Sequence, residues 1–561
     1  MEPQKLENWQ ASLNVRRVVN LLACLALLFR VAGLSGPGMV AIPAVGLAAA
    51  LLEAGALALF IASALTSRDG IVEQLETALL ALTCLEIALR VVAFLHFAPP
   101  YATDEAALLQ GAGTLLLHGH NPYGPSLVSF YTALHVPPFR FTPLASGGFV
   151  HSVDYPGLAV MIAALSVWAT HGYESIVIAD TIALVAATLV TFALLPRHLR
   201  GLALIVTLAV PGLLGFALGG FVAVLALPLL SLAVWRWDAI GNSGRLAPLG
   251  VAQAAALGLS CGISQLAWLL APFLVLVVWR ERQFELGWRR GTLLAGRFGL
   301  IAGATFLAPN VPFIVANAGK WLENAGAPVL QHSIPLGLGL AALPLLAHIG
   351  GGYLAGYSLG AGLLYLALMG LTWLWVRRLR TVALVLPVLP VFVATRALPE
   401  YWGILVPVWL VAAATVGSKL SAARVRGAHE RAVSIGVKLA VVGLTMAALF
   451  EVGAAIASPA PLSVRITSAP VSSTADTISA IEVRVRNATA VYLTPHFVVN
   501  MGIGQVVWTV RSGPRRLPPH HTAVYEIAAP GRASRVPITA FAVDILTNDP
   551  VTLSVSPLHI P

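Results

Sequence analysis

The stretch Tyr101-Ala-Thr-Asp104-Glu105, followed after an amphipathic run by His118-Gly-His120-Asn121-Pro122-Tyr123-Gly124, is the polar island on which the reading of this chain turns. It comes directly after a long apolar segment. Nowhere else do adjacent carboxylates, histidines and turn residues meet beside such a segment. On a soluble protein the stretch would be an ordinary solvated loop; at a bilayer surface it becomes a candidate site.

Composition decides between the two. Of 561 residues, 58% are hydrophobic and only 10% are charged. The mean hydropathy is +0.84. A soluble domain carries about 25% charged residues, so this is a polytopic α-helical membrane protein. Apolar windows of about 20 residues recur, each long enough to cross roughly 30 Å of hydrocarbon as a helix. The amino terminus is polar and no small-residue cleavage site follows the first apolar run, so a cleavable signal peptide is not expected. The net charge of +10 comes from 34 basic and 24 acidic residues. Its arginines and lysines fall in short clusters between apolar runs, the pattern of cytoplasmic loops and not of a nucleic-acid surface. Cys24, Cys84 and Cys261 lie inside apolar segments, which argues against a disulfide framework or a zinc site.

Working outward, apolar runs at 18–36, 40–64 and 75–97 precede the island. Lys5, Arg16, Arg17 and Arg68 put the amino terminus in the cytoplasm and the 98–155 loop outside. Within the third run, Arg90 follows Glu86 at helical i,i+4 spacing, an expected same-face ion pair. Residues 105–117 read as a helix lying in the interface, with Thr103 or Asp104 near its N-cap. Beyond the loop, two apolar runs (156–170 and 174–195) separate it from the basic cluster at Arg197. Parity allows only one of them to cross. Breaks at Pro211-Gly212, Gly219-Gly220 and Gly262-Ile-Ser264-Gln265 imply a cavity lined by broken helices. Further runs at 293–315, 335–350, 354–376, 381–395, 402–417 and 434–457 bring the expectation to about thirteen crossings, with turns at Asn310-Val-Pro312-Phe313 and at Arg396-Ala-Leu-Pro399-Glu400-Tyr401. A second outside segment carries Lys320, Trp321, Glu323 and His332.

From residue 458 the period changes. Ile481–Arg486, Val506–Val510, Ala523–Ile527 and Ala540–Val543 alternate apolar and polar positions, separated by turn residues, which predicts an antiparallel β-sandwich outside the membrane. The chain thus divides into an amino-terminal transmembrane pair (1–74), a transmembrane catalytic region (75–457) and the β-sandwich (458–561). The sequon Asn487-Ala-Thr489 is a three-residue match that chance alone supplies.

Two carboxylates at a membrane surface serve as a solvated loop, a cation site or a general base. Group transfer from a lipid-linked phosphate needs a carboxylate to take a proton from the attacking hydroxyl, and cations to meet the leaving phosphate. Asp104 is the candidate base, and Glu105 would orient the acceptor or a divalent cation. Arg396 is the first candidate for the phosphate because a guanidinium binds it bidentately, although interface snorkelling would also place an arginine there. Tyr401, Gln265, His118 and His120 follow as candidate substrate contacts.

The order Asp104-Glu105, then Gly119-x-Asn121-Pro122-Tyr123, then Tyr155-Pro156 opening a membrane helix resembles the GT-C superfamily of integral membrane glycosyltransferases. Gln265 before Ala271-Pro272-Phe273 and Arg396-x-x-Pro399-x-Tyr401 agree in order. The chain departs from the family's pattern at Gly219-Gly220-Phe221, where members often carry a carboxylate, and at Ser264, where many carry lysine. The resemblance implies a polyprenyl-phosphate sugar donor, a glycan, lipid or protein acceptor, a plasma-membrane location facing the cell envelope, and a catalytic Asp in the first outside loop. It also implies substrate-binding positions at Asn121, Tyr123 and Tyr155. Two other readings stand beside it: a transporter or flippase for lipid-linked sugars, and a non-catalytic partner in an envelope complex.

Overall fold

The structure is a computed structural model that describes residues 3–34, 42–66, 68–97, 101, 103–209, 212–330, 334–337, 339–347, 351–417, 428–471, 477–501, 504–537 and 540–560. His332 and Pro211 lie outside these residues, whereas Lys320, Trp321 and Glu323 of the expected outside segment lie in the helix Trp288–Ala325.

Helices α1 (Pro3–Ala32), α2 (Pro43–Leu65) and α3 (Asp69–Phe97) pack together around Ala23, Cys24, Leu27, Leu52, Ala56 and Leu79. Small residues let these backbones approach where water offers no driving force. Their charges are paired internally. The Arg16 guanidinium donates to both Glu76 oxygens, at 2.9 and 2.8 Å, and also pairs with Asp69. The i,i+4 pair Glu86–Arg90 forms, and Arg30 joins it with its Nε 3.8 Å from Glu86 Oε1.

Helix α4 (Asp104–Leu117) follows. It does not lie in an interface as expected, because Ala106–Gly113 are all buried within the protein. The cause is its run of small residues. A Cβ on Gly113 would come within 2.7 Å of the Ala163 carbonyl carbon, so the neighbouring helix sits closer than any larger side chain permits. After α5 (Val128–Ala133) come α6 (Gly157–Thr170) and α7 (Ser175–Leu194). With 14 residues, α6 reaches only about 21 Å. The 20-residue α7 is long and apolar enough to cross, whereas α6 is shorter than a span requires.

Among the described residues, six helices have the length and composition to cross a membrane: α2, α3, α7, Trp288–Ala325, Leu354–Leu379 and Ile435–Ala457. A seventh is added if α8 (Arg200–Ala209) and α9 (Leu213–Gly219) are taken as one bent span. They make this a membrane-embedded, mostly helical protein. The larger number expected from apolar runs is not reached because several runs fold into short helices. These include α10 (Leu227–Val234), α11 (Pro248–Cys261) and the helix Val406–Ala414. In 381–395, Pro387 and Pro390 limit the chain to a 3-10 turn and a five-residue helix, Leu389–Val393.

Helix α12 (Gln265–Leu286) starts at the expected break, capped by Ser264, whose Oγ accepts from Leu266 N at 3.3 Å. Helix α13 (Trp288–Ala325) runs straight through the stretch expected to turn at Asn310-Val-Pro312-Phe313 and breaks only at Asn317 (φ −165°, ψ 93°). Asn310 explains the continuity. It is fully buried; its Nδ2 donates to the Phe306 carbonyl at 2.7 Å, and its Oδ1 accepts from Gly157 N at 2.7 Å and from Trp321 Nε1 at 3.0 Å.

The two-residue strands β1 (Leu336–Gly337) and β2 (Arg396–Ala397) pair in parallel. The C-terminal strands are β3 (Leu462–Ser468), β4 (Thr477–Ile478), β5 (Ala480–Asn487), β6 (His496–Asn500), β7 (Gln505–Ser512), β8 (Thr522–Ala528), β9 (Val536–Pro537), β10 (Ala542–Asn548) and β11 (Val551–Val555). They do not form two stacked sheets. Seven join in one sheet, in the order β11-β10-β6-β7-β8-β5-β3, with all pairs antiparallel. The sheet curls until its edges approach, Leu462 N donating to Ser554 Oγ at 3.1 Å, around a core that includes Ile481, Phe497, Trp508, Tyr525 and Phe541. Alternation predicts strands but not which edges meet.

Asn310→Ala removes the acceptor for two N–H groups, that of Gly157 fully buried. We expect a loss of about 2–4 kcal/mol, read as a lower apparent melting temperature of the purified protein. An unchanged melting temperature would show that another group takes over those donors.

Candidate active site

The sequence Thr103-Asp104-Glu105 starts α4 for a local reason. Thr103 is the N-cap: its Oγ1 accepts from Ala106 N at 3.3 Å. The same hydroxyl donates to the Gly219 carbonyl at 3.1 Å. Close approach there depends on Gly220, in the left-handed region at φ +76°, where a Cβ would stand 2.5 Å from the Ala106 Cβ. Asp104 occupies the first turn, where the helix dipole favours a negative charge. Its side chain is 6% exposed. Asp104 Oδ2 accepts from the Thr142 amide N–H at 2.8 Å.

Arg396 comes to this carboxyl from far along the chain. Pairing of β2 with β1 sets its backbone, with Leu336 N donating to the Thr395 carbonyl at 3.3 Å. The guanidinium interacts with Tyr401, Asp104 and Glu105, yet makes no ion pair with either carboxyl among the described residues. Glu105 meets the Tyr155 hydroxyl and lies within electrostatic reach of Asp104, Asp154 and Glu400. Asp154, whose Oδ1 is buried without a hydrogen-bond partner, also interacts with Asp104 and Arg396. The structure therefore brings Asp104, Glu105, Tyr155, Arg396 and Tyr401 together and adds Asp154 and Glu400.

The remaining candidates are placed elsewhere. Gln265 Nε2 donates to the Asp154 carbonyl at 2.6 Å and to the Ala325 carbonyl at 2.9 Å, so it anchors the turn that carries Asp154 and Tyr155. Asn121 Oδ1 accepts from Tyr123 N at 3.0 Å, and the Tyr123 hydroxyl donates to the Tyr155 carbonyl at 2.7 Å. Those residues brace the same turn from the other side. His118 and His120 are exposed at the far end of α4, about 21 Å from Asp104 along the helix axis, and His118 Nδ1 lies 2.8 Å from the Thr114 carbonyl.

Electrostatics follow from burial. Removal from water pushes Asp104 above the usual carboxylate range, opposed by the Thr142 amide and the Arg396 charge. Burial pushes Glu105 up to about 8 despite the Tyr155 hydroxyl, and repulsion from Asp104, Asp154 and Glu400 adds to the rise. Asp154 is pushed up to about 7, by burial first and by Asp104 second. Burial lowers Arg396, but Tyr401 and Asp104 outweigh it and hold the guanidinium above its ordinary value. Carboxyls raised in this way are groups of the kind that general acid–base chemistry near neutral pH employs. Among the described residues no three His, Cys, Asp or Glu side chains form a group that could hold a metal ion.

Beside this cluster is a narrow apolar crevice of about 10 Å³, lined by Leu269, Leu384, Val388, Val391, Leu405 and Trp409 and reaching Tyr401. Sequence reasoning missed Asp154 as a site residue, although Asp154-Tyr155-Pro156 stood out as a turn. Thr142 contributes a backbone amide, for which no side-chain signal exists. No protein-family model matches the sequence, and no curated protein matches it either.

Glu105 binds its proton more tightly in the folded chain, at about 8, than at its ordinary value of 4.5. Stability is therefore fully present below the ordinary value and lost as the pH rises through the folded one. Glu105→Gln, uncharged throughout, should flatten that decline in melting temperature between mildly acidic and alkaline buffers. Identical slopes for both proteins would show that Glu105 does not titrate there.

Proposed function

We propose that this chain is a GT-C-type integral membrane glycosyltransferase that moves a sugar, with inversion, from a polyprenyl-phosphate donor to an extracytoplasmic glycan, lipid or protein acceptor. The distribution of Arg and Lys supports an orientation with the amino terminus in the cytoplasm and the first polar loop and C-terminal sheet domain outside. The observation that carries the reading is the meeting of Asp104, from the first polar loop, with Arg396 and Tyr401, from a loop near the end of the membrane region, beside a narrow apolar crevice that Tyr401 lines.

Each part has a task in such a transfer. The acceptor hydroxyl attacks the anomeric carbon while Asp104 takes its proton; a carboxyl with a raised pKa suits that step near neutral pH. The anomeric carbon–oxygen bond breaks, and the lipid phosphate leaves with added negative charge beside Arg396. Tyr401 meets the guanidinium and also lines the apolar crevice, so the lipid part of the donor would approach from that side. Asp154 and Glu105, both coupled to Asp104, would hold acceptor hydroxyls.

A transport reading is favoured by one observation. Asp180 on α7 is fully buried with neither carboxyl oxygen hydrogen-bonded among the described residues, and ionisable groups in spanning helices mark pathways. Lipid-linked sugar crossing sealed vesicles at full rate in an Asp104→Asn variant would favour it.

For the transferase, Asp104→Asn should lower transfer from a radiolabelled polyprenyl-phosphate sugar by about a thousandfold, with an unchanged elution profile and melting temperature. Arg396→Lys, which keeps the charge and loses the fork, should cost about a hundredfold. Full transfer in the Asp104 variant would overturn the assignment.

A further inference from the structure

The segment that holds Asp104 is itself held by the C-terminal domain. Thr142, whose amide donates to Asp104 Oδ2, sits at the foot of a turn: its carbonyl accepts from Val150 N at 2.9 Å, and Leu144 N donates to the Gly148 carbonyl at 3.1 Å. Three residues before Thr142, Phe139 packs against the core of the C-terminal sheet. Its carbonyl is so near β7 that a Cβ on Gly504 would stand 2.4 Å from it. Three residues after Thr142, Ala145 is fully buried in a cluster shared with Val498, Leu546 and Leu553 of the sheet. At the tip of the turn, Gly147 (φ +89°) lies flat against His496, whose Nδ1 would be 2.5 Å from an added Cβ.

From this geometry we infer that the C-terminal domain is a clamp that positions the catalytic base: it grips residues 139–147 on both sides of Thr142 and so keeps the Thr142 amide against Asp104. The sheet domain then does not stand apart as an appendage. It completes a site whose side chains all belong to the membrane region. Thr142 and Phe139 are positioning residues in this account. A short segment held by only a 3-10 turn at Pro138–Arg140 and a single bridge between Pro143 and Phe149 is among the least stable parts of a fold, and here the sheet supplies what the segment lacks. A second tie makes the grip rigid, with Leu553 N donating to the Gly352 carbonyl at 2.8 Å just before the membrane helix Leu354–Leu379.

The inference rests on the reading of Asp104 as the base, so its test uses no sugar substrate. The full-length protein in lipid nanodiscs is treated with a water-soluble carbodiimide and glycine ethyl ester, and labelling of Asp104 is mapped by mass spectrometry. Gly504→Leu pushes the loop away from the sheet, and Phe139→Ala removes its anchor from the other side. Both should raise Asp104 labelling about fivefold or more as the loop opens, with no change at Glu323, whose side chain is 63% exposed. Unchanged Asp104 labelling in either folded variant overturns the clamp. If neither variant folds, hydrogen exchange on the unaltered chain decides. Residues 138–150 should lose protection together with β6 and β7 as denaturant rises; loss together with α4 instead overturns the inference. A chain that transfers no sugar would still give a clear result here, and a failed clamp would leave the transfer assay standing.

Discussion

A carboxyl taken almost wholly out of water must be supplied with donors, and much of this structure can be understood as the supply for Asp104. It stands at the head of α4, where free backbone amides and the helix dipole favour it, and Thr103 keeps that helix end in place by capping it and bonding to Gly219. The helix can be buried that deeply because glycines stand where neighbours come closest, Gly111 against Phe130 and Gly113 against Ala163. The remaining donors come from elsewhere: an amide from Thr142 and a positive charge from Arg396. Loss of either would leave a buried charge under-compensated, a costly state that the fold is arranged to avoid.

The same constraint recurs wherever charge enters the apolar region. Arg16 closes on Glu76 and Asp69, and Glu86 is shared by Arg30 and Arg90. At the C-terminal end of α12 the Arg280 guanidinium is sandwiched between Phe284 and Trp373, 4.3 and 4.1 Å from the ring centres. Nearby, Arg380 joins Asp238 and Glu281. These groups tie helices together at defined positions, which nonspecific apolar packing in lipid does not do. The Asp104 cluster differs in being unbalanced. Several carboxyls share the field of one guanidinium that forms no ion pair with them among the described residues.

Sequence reading was most successful where physics is local. Long apolar runs became α2, α3 and α7, the break at Gly262–Gln265 is present, and alternating segments became β5, β7, β8 and β10. It was weaker where a neighbour decides. Prolines in 381–395 shorten an apolar run below a span, whereas Pro309 and Pro312 sit inside α13, because Asn310 there binds back to the helix and across to Gly157. The run 105–117 has the polarity of a surface helix, but its glycines and alanines meet α6 and it is buried. For the site, Asp104, Glu105, Tyr155, Arg396 and Tyr401 were legible as residue types suited to the chemistry. Gln265, Asn121 and Tyr123 belong to the frame that holds the Asp154–Tyr155 turn, and Asp154 entered only through its place in space.

By itself the sequence determined that this chain lives in a membrane, that a β-rich domain follows the last apolar run, and that its densest polar cluster lies beside a membrane helix. Those properties depend on the period and polarity of neighbouring residues, which every short window carries. Tertiary structure alone decided that the β-rich domain forms one curled sheet resting on the loop of Thr142, and that the loops of Asp104 and Arg396 share one site. Burial and electrostatic coupling act through space between residues distant in the chain, and no local pattern encodes which distant donors a buried carboxyl will meet.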